Sequence, residues 1–226
     1  MSDQAADGRY ALTTPVILAH PHLVDPVQFK RNGKTSGEPK YKAAFVIPKD
    51  SEELKSMRAL AITVAKAKWP TRDLKAEYAA GTFKLPFAKG DDLAEARKAK
   101  SGKDDGDWQR GCIVINAASK YRPALSILEN GRVIDLEDDT MFAKYKAKFF
   151  FGAEVVPEFN FVAYEGGNGP DGVTAYVNAI LATGKGKRIA GGGAPASERF
   201  RGYIGTHKDE DPTGGADLSE DTDGNW

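Results

Sequence analysis

From Lys40 to Ile47 the chain alternates. Tyr41, Ala43, Phe45 and Ile47 fall on one side of an extended segment, and Lys40, Lys42, Ala44 and Val46 fall on the other. A period of two is that of a strand, and here it predicts a strand with one wetter, basic face. Upstream, residues 10–29 carry short apolar runs interrupted by Pro15, Pro21 and Pro26. Proline cannot donate to a sheet ladder, so this stretch reads as an edge strand and loop rather than a central strand. The basic, glycine-bearing RNGKTSGEPK (31–40) reads as the turn between them.

Past Pro48 the period lengthens. Asp50, with Glu53 three residues on, has the form of a capping box, and Leu54, Met57, Ile62, Ala65 and Trp69 supply much of an apolar side before Pro70 ends the helix. TRDLKAEYAAG follows as a second helical piece, so a helical insertion is expected over about 50–81. Residues 89–107 are highly polar, and their KAKSGKDDGD end reads as a loop. Strands are then predicted within WQRGCIVINAASKY, FAKYKAKFFFG, AEVVPEFNFVAY and VTAYVNAILATG, with EGGNGPDG as a turn before the last. KGKRIAGGGAP opens another glycine-rich loop, and FRGYIG is a weak strand. Five or six short strands, set apart by long loops and not regularly alternated with helices, predict a mainly β chain closed as a small barrel.

Composition narrows the class. With 226 residues, 41% of them hydrophobic, the chain can bury one core, with room for an insertion. It has no apolar run long enough to span a membrane, and its N-terminus lacks the basic-then-apolar order of a signal peptide. Cys112 is the single cysteine, so no internal disulfide is expected and a cytoplasmic address is the default; GCIVINA suggests a buried strand thiol.

The formal net charge is zero, from 32 basic and 32 acidic residues. The last stretch, DEDPTGGADLSEDTDGNW (209–226), holds seven of those acids and no Lys or Arg. Residues 1–208 therefore hold 32 basic against 25 acidic residues, a net of +7. A basic body tied to an acidic string points to a polyanion as ligand, with the tail competing for the same surface or recruiting a partner. The tail is too poor in apolar residues to fold alone and is expected to be disordered.

Candidate chemistry follows the charge. On an extended KYKAKFFF, Lys144, Lys146, Lys148 and Phe150 share one face, a row that phosphates would satisfy, although lysines also protect edge strands from aggregation. Tyr41 stands between Lys40 and Lys42, Tyr121 between Lys120 and Arg122, and Trp108 near Arg110. Aromatic rings among cations suit single strands, whose bases stack while their phosphates are neutralised. GKGKR, with Lys185, Lys187 and Arg188, reads as a basic loop that touches phosphate. HPH (20–22) lacks the partners of a zinc site, so no metal or other cofactor is expected. LEDDTM (136–141) and KDDGD (103–107) would be the carboxylates of a Mg²⁺-dependent nuclease, the third reading after a DNA-binding protein and a non-catalytic assembly protein without DNA affinity.

The order of these pieces resembles a known family. The Lys-Tyr strand leading to FVIPKD, the helical insertion, INAASKYRP, the strand closing in FVAY, the glycine-rich turn, VNAI and GGG resemble the OB-fold single-stranded-DNA-binding proteins of tailed bacteriophages, over roughly residues 10–204. The resemblance implies a five-stranded OB barrel with inserted helices over 1–204, a flexible tail over 205–226, and an accessory role in phage DNA replication, recombination and repair. It implies no catalysis, binding without strong sequence preference, action in the host cytoplasm, and DNA lying across the basic strand face. Self-association into a homo-oligomer is compatible with it. Acidic tails tipped by an aromatic residue also occur in such proteins, so Asp217, Glu220, Asp221, Asp223 and Trp226 are expected to engage phage or host replication proteins when DNA displaces the tail.

Overall fold

The computed structural model describes residues 7–189 apart from 32, 33, 103, 105 and 168, with backbone alone for 29–31 and 34–36. The expected strand FRGYIG, the GGG of 191–193 and the acidic tail lie outside the described residues. Five strands close a ring: β2 (Val16–Arg31), β3 (Lys34–Pro48), β6 (Cys112–Ser119), β10 (Asp171–Gly186) and β9 (Ala153–Tyr164), which returns to β2. Within the ring only β6 and β10 run parallel, meeting at Ala117 and Ala175. This is the five-stranded OB barrel. Its interior holds Leu18, Phe45, Ile47, Ile115, Val155, Phe159, Phe161 and Ile180. Phe45 meets Phe159 edge to face, with centroids 5.0 Å apart.

The proline-bearing segment is a barrel strand, where an edge strand and loop were expected. Its register with β3 shifts between Ala19 and His22, between His22 and Val27, and between Val27 and Phe29, so Pro21 and Pro26 fall at bulges. A bulge needs no ladder hydrogen bond from the extra residue, and it bends the strand around the barrel.

The insertion between β3 and β6 is longer than expected. It runs through α1 (Glu52–Lys68), α2 (Leu74–Ala79), β4 (Phe83–Lys84), β5 (Phe87–Lys89), α3 (Gly90–Ser101) and a 3-10 turn at Asp107–Gln109. Ser51 rather than Asp50 caps α1, its Oγ accepting from Leu54 N at 3.2 Å. Glu53 instead reaches across the chain and accepts from the backbone and hydroxyls of Thr13 and Thr14 at 2.6–3.0 Å. The buried stripe of α1 is Leu54, Met57, Ala61, Val64 and Ala65; Ile62, off that spacing, is exposed. Arg72 ties the insertion to the barrel: it stacks on Trp69, is held by Glu77, and donates to Asp171 at 2.7 Å.

Between β6 and β9 the chain forms a hairpin, β7 (Ala124–Glu129) and β8 (Arg132–Asp135), then α4 (Asp139–Tyr145) and a 3-10 turn at Lys146–Lys148. Asn130 and Gly131 both take positive φ, as the tight hairpin turn requires. The predicted lysine strand is therefore helical. Asp138 caps it by accepting from Met141 N at 2.7 Å, and Phe142, Tyr145 and Phe149 are its buried positions, a spacing of three and four that a strand would scatter over both faces. Lys144, Lys146 and Lys148 do not form a row. Among the described residues, no helix is long and apolar enough to cross a membrane.

Candidate nucleic-acid interface

Alternate residues of β2, β3 and β6 point away from the barrel interior. Register pairs Ala19 with Ala44, Ala44 with Asn116, Val46 with Val114, and Lys42 with Ala118 on this outer face. Ala19, Ala44, Val46 and Val114 are nevertheless buried, because Leu93 of α3, Trp108 and Phe151 pack over them. Gly90 lets α3 approach the 3-10 turn, since a Cβ there would lie 1.8 Å from the Gln109 carbonyl oxygen. Strand face, helix and turn together enclose a cleft of about 460 Å³ with Ala44 and Val114 at its floor, Trp108, His20 and Asn116 on its walls, and Arg97 and Lys100 of α3 bringing charge.

Two rings line this cleft, His20 and Trp108, and both pack on Phe151. His20 lies 4.7 Å from Phe151 and 5.7 Å from Trp108, and Trp108 meets Phe151 edge to face at 5.0 Å, all measured between centroids. His20 takes φ of 45° at the β2 bulge, a conformation uncommon outside glycine. The Arg97 guanidinium is 5.7 Å from the Trp108 ring, and its NH2 lies 3.2 Å from His20 Nε2. A guanidinium only donates, so Nε2 accepts. Desolvation by the surrounding rings, then the charges of Arg97 and His22, hold the His20 pKa below its ordinary value and keep the ring neutral at neutral pH.

A second basic stretch lies beside Phe151. Phe151 O accepts from Ile189 N at 2.9 Å, and the Arg188 guanidinium stands 4.9 Å from the Phe150 ring. Lys185 and Lys187, exposed at and beyond the end of β10, flank that contact. Along β3 towards its hairpin, Lys40, Tyr41 and Lys42 are half-buried, with Tyr41 opposite Ser119. Tyr121 just beyond is 82% exposed, so its ring is not core. Lys120 pairs with Glu38 at 2.5 Å.

Other expected cations serve the scaffold. Arg110 is ringed by Glu95, Asp104 and Asp107 at 2.8–3.2 Å, bracing α3 against the 3-10 turn rather than accompanying Trp108. Arg122 donates to Asp139 at 3.0 Å and lies over the Phe142 ring, fastening α4. Lys144 stands over the Tyr145 ring at 4.8 Å. Four of the carboxylates weighed for Mg²⁺ have other partners: Asp138 caps α4, Asp139 holds Arg122, and Asp104 and Asp107 hold Arg110. Among the described residues, no group of three or more His, Cys, Asp or Glu side chains converges to hold a metal.

Of the residues in this region, Trp108, Phe150 and Arg188 were among those expected from the sequence, whereas His20, Arg97, Lys100, Phe151 and Asn116 were not. HPH drew notice only as zinc chemistry, Phe151 was placed on the far face of a strand that does not form, and Arg97 lies on a helix that was not expected. The expected tail residues, Asp217 to Trp226, lie outside the described residues.

Residues 10–213 match the model of a family described as the ssDNA-binding protein of Enterobacter phage Enc34. Among solved structures, the C-terminally truncated single-stranded DNA-binding protein of bacteriophage Enc34 aligns with a TM-score of 0.55 and 21% identity, over 80% of this chain and 88% of its own. The same phage's protein in complex with ssDNA aligns with a TM-score of 0.51 and 18% identity, over 81% of this chain and 90% of its own. Gp2.5, a single-stranded DNA binding protein encoded by bacteriophage T7, aligns with a TM-score of 0.47 and 10% identity, over 91% and 97%. At such identities the likeness to the two Enc34 structures is one of fold. No curated protein matches the chain. With its match over residues 10–213, the chain belongs to the family of the Enterobacter phage Enc34 single-stranded-DNA-binding protein.

Proposed function

We propose that this chain binds single-stranded DNA along the outer face of β2, β3 and β6. The observation that carries the reading is the convergence of His20 and Trp108, both packed on Phe151, with Arg97 and Lys100 at one cleft on that face. Bases stack on exposed aromatic surface while cations neutralise phosphates, without demanding a particular sequence. Lys40, Lys42, Lys120 and Tyr121 extend the path at one end, and Phe150, Lys185, Lys187 and Arg188 at the other. The role is to hold and protect the strand during phage replication, recombination and repair, not to cut it. The tail's seven acids compete with DNA for these cations, and its terminal Trp226 anchors a replication protein once DNA has displaced it.

The test is a titration of single-stranded oligonucleotide by fluorescence anisotropy across salt concentrations. If about four phosphates are neutralised, log K falls against log salt with a slope near −3, at ~0.7 counterions per phosphate. Arg97→Ala with Lys100→Ala should make that slope shallower. A slope near zero, or cleavage of the oligonucleotide in Mg²⁺, overturns the reading.

A further inference from the structure

Beyond the cleft, the register of the barrel strands sets one line of outward-facing residues across the molecule. His22 on β2 pairs with Lys42 on β3, and Lys42 pairs with Ala118 on β6. Ala117 and Ala175 meet where β6 and β10 run parallel, and both are buried. The next residue on each strand, Ala118 and Tyr176, therefore faces outward, side by side. Tyr176 pairs with Asn160 on β9, and Asn160 pairs with Arg9 on β1 (Arg9–Ala11). Asn160 stands between the buried Phe159 and Phe161, so it too is on the outer face. The line starts one pleat from the cleft, since Ala44 and Asn116, which line the cleft, are two residues from Lys42 and Ala118. From Lys42 to Arg9 it crosses four strand spacings of ~4.8 Å, about 19 Å of barrel surface.

Its chemistry differs from that of the lines on either side. Arg9 and His22 are exposed, Lys42 is half-buried, and the Tyr176 ring between them is 38% exposed. One pleat away, Ala44 pairs with Asn116 and Thr174 with Val162, a line without charge. In the other direction Asn178 donates to Glu158 at 3.1 Å, which puts an acid in the way of a polyanion. Of the three lines, the middle one alone has cations at both ends, an aromatic ring between them and no carboxylate. Asp7, which accepts from the Arg9 backbone N–H at 3.2 Å, bounds it at that end.

We infer that the bound strand leaves the cleft and crosses the barrel along this line, with Tyr176 stacking a second base and Arg9 holding a phosphate beyond it. This rests on the single-stranded-DNA reading above and adds β10, β9 and β1 to the face that the strand uses. Ala118 is too small to cover the neighbouring Tyr176 ring, so a base can lie against it. Stacking on a ring and neutralising a phosphate are both indifferent to base identity, so this arm lengthens the site without adding sequence preference.

The test uses the full-length protein and a series of oligothymidylates of about 4 to 16 nucleotides, the range one such barrel covers. Wild-type affinity should rise with length until a strand fills both the cleft and the line. Tyr176→Ala should level off at a shorter strand and bind the longest one about tenfold more weakly, the size of one lost stack. Arg9→Ala should make the salt slope on the longest strand shallower by ~0.7, the counterions of one phosphate. Wild-type plateau length, affinity and slope in both variants overturn the arm while leaving the cleft standing. A loss in Tyr176→Ala that is equal at every length also overturns it, because the ring would then act through the cleft or the fold. Failure of the wild type to bind any strand overturns the DNA reading and the arm with it.

Discussion

Phe45 and Ala44 are neighbours on β3, yet they belong to two different apolar clusters. Phe45 turns into the barrel, where the cluster is large and bulky, and its ring is fully buried against Phe159. Ala44 turns outward, where the cluster comprises two alanines and two valines with Trp108, Leu93 and Phe151 packed over it. The same backbone thus builds a core on one face and the floor of a cleft on the other. Side-chain volume separates the two. Inside, large residues interdigitate to native density, whereas outside small ones leave space that a helix and a turn roof over without filling.

That contrast can be broken most sharply from the inside. Phe45→Ala should destabilise the fold by ~3–5 kcal/mol, because the barrel cannot collapse around the lost ring, and chemical denaturation would measure it. Trp108→Ala tests the other face. DNA affinity should fall by ~1–3 kcal/mol in anisotropy titrations if the ring stacks on a base, with a smaller loss of stability than Phe45→Ala causes. A stability loss as large as that of Phe45→Ala, with affinity intact, would make the outer cluster a second core.

The smallest effect concerns His20. Its folded pKa is depressed, first by desolvation and then by Arg97 and His22, so the neutral ring's contribution to stability is present above its unfolded pKa, near 6.5. That contribution is lost as pH falls through the depressed folded value, because protonation then places a second charge beside Arg97. Thermal melts should show the wild type losing more stability than His20→Gln between neutral and mildly acidic pH. Parallel losses would mean that His20 does not titrate with unfolding.

Much of the barrel was legible. The alternation through Tyr41–Ile47 and the apolar runs in 112–119, 153–164 and 171–186 mark four of the five ring strands, since period two survives wherever one face is buried. Helix α3 was not legible because it buries only Gly90 and Ala94, too little apolar surface to imprint a period of 3.6 on its sequence. The 139–149 segment misled for a related reason. Its alternating lysines fit a strand locally, and only the packing of Phe142, Tyr145 and Phe149 against the barrel selects the helix. The hairpin's signal is local, since Asn130–Gly131 supplies the two positive φ values that its turn needs.

By itself the sequence determined four of the barrel's five strands, the early helices, and the basic body with its acidic tail. These properties reside in periodicity and composition, which need no partner to be read. Only the tertiary structure decided what each cation faces. Arg97 and Arg110 both come from the polar insertion, yet three carboxylates surround Arg110, while Arg97 meets His20 from 77 positions earlier in the chain and the ring of Trp108. A side chain's charge is set by its type, but what it neutralises is set by what the fold brings within a few ångströms.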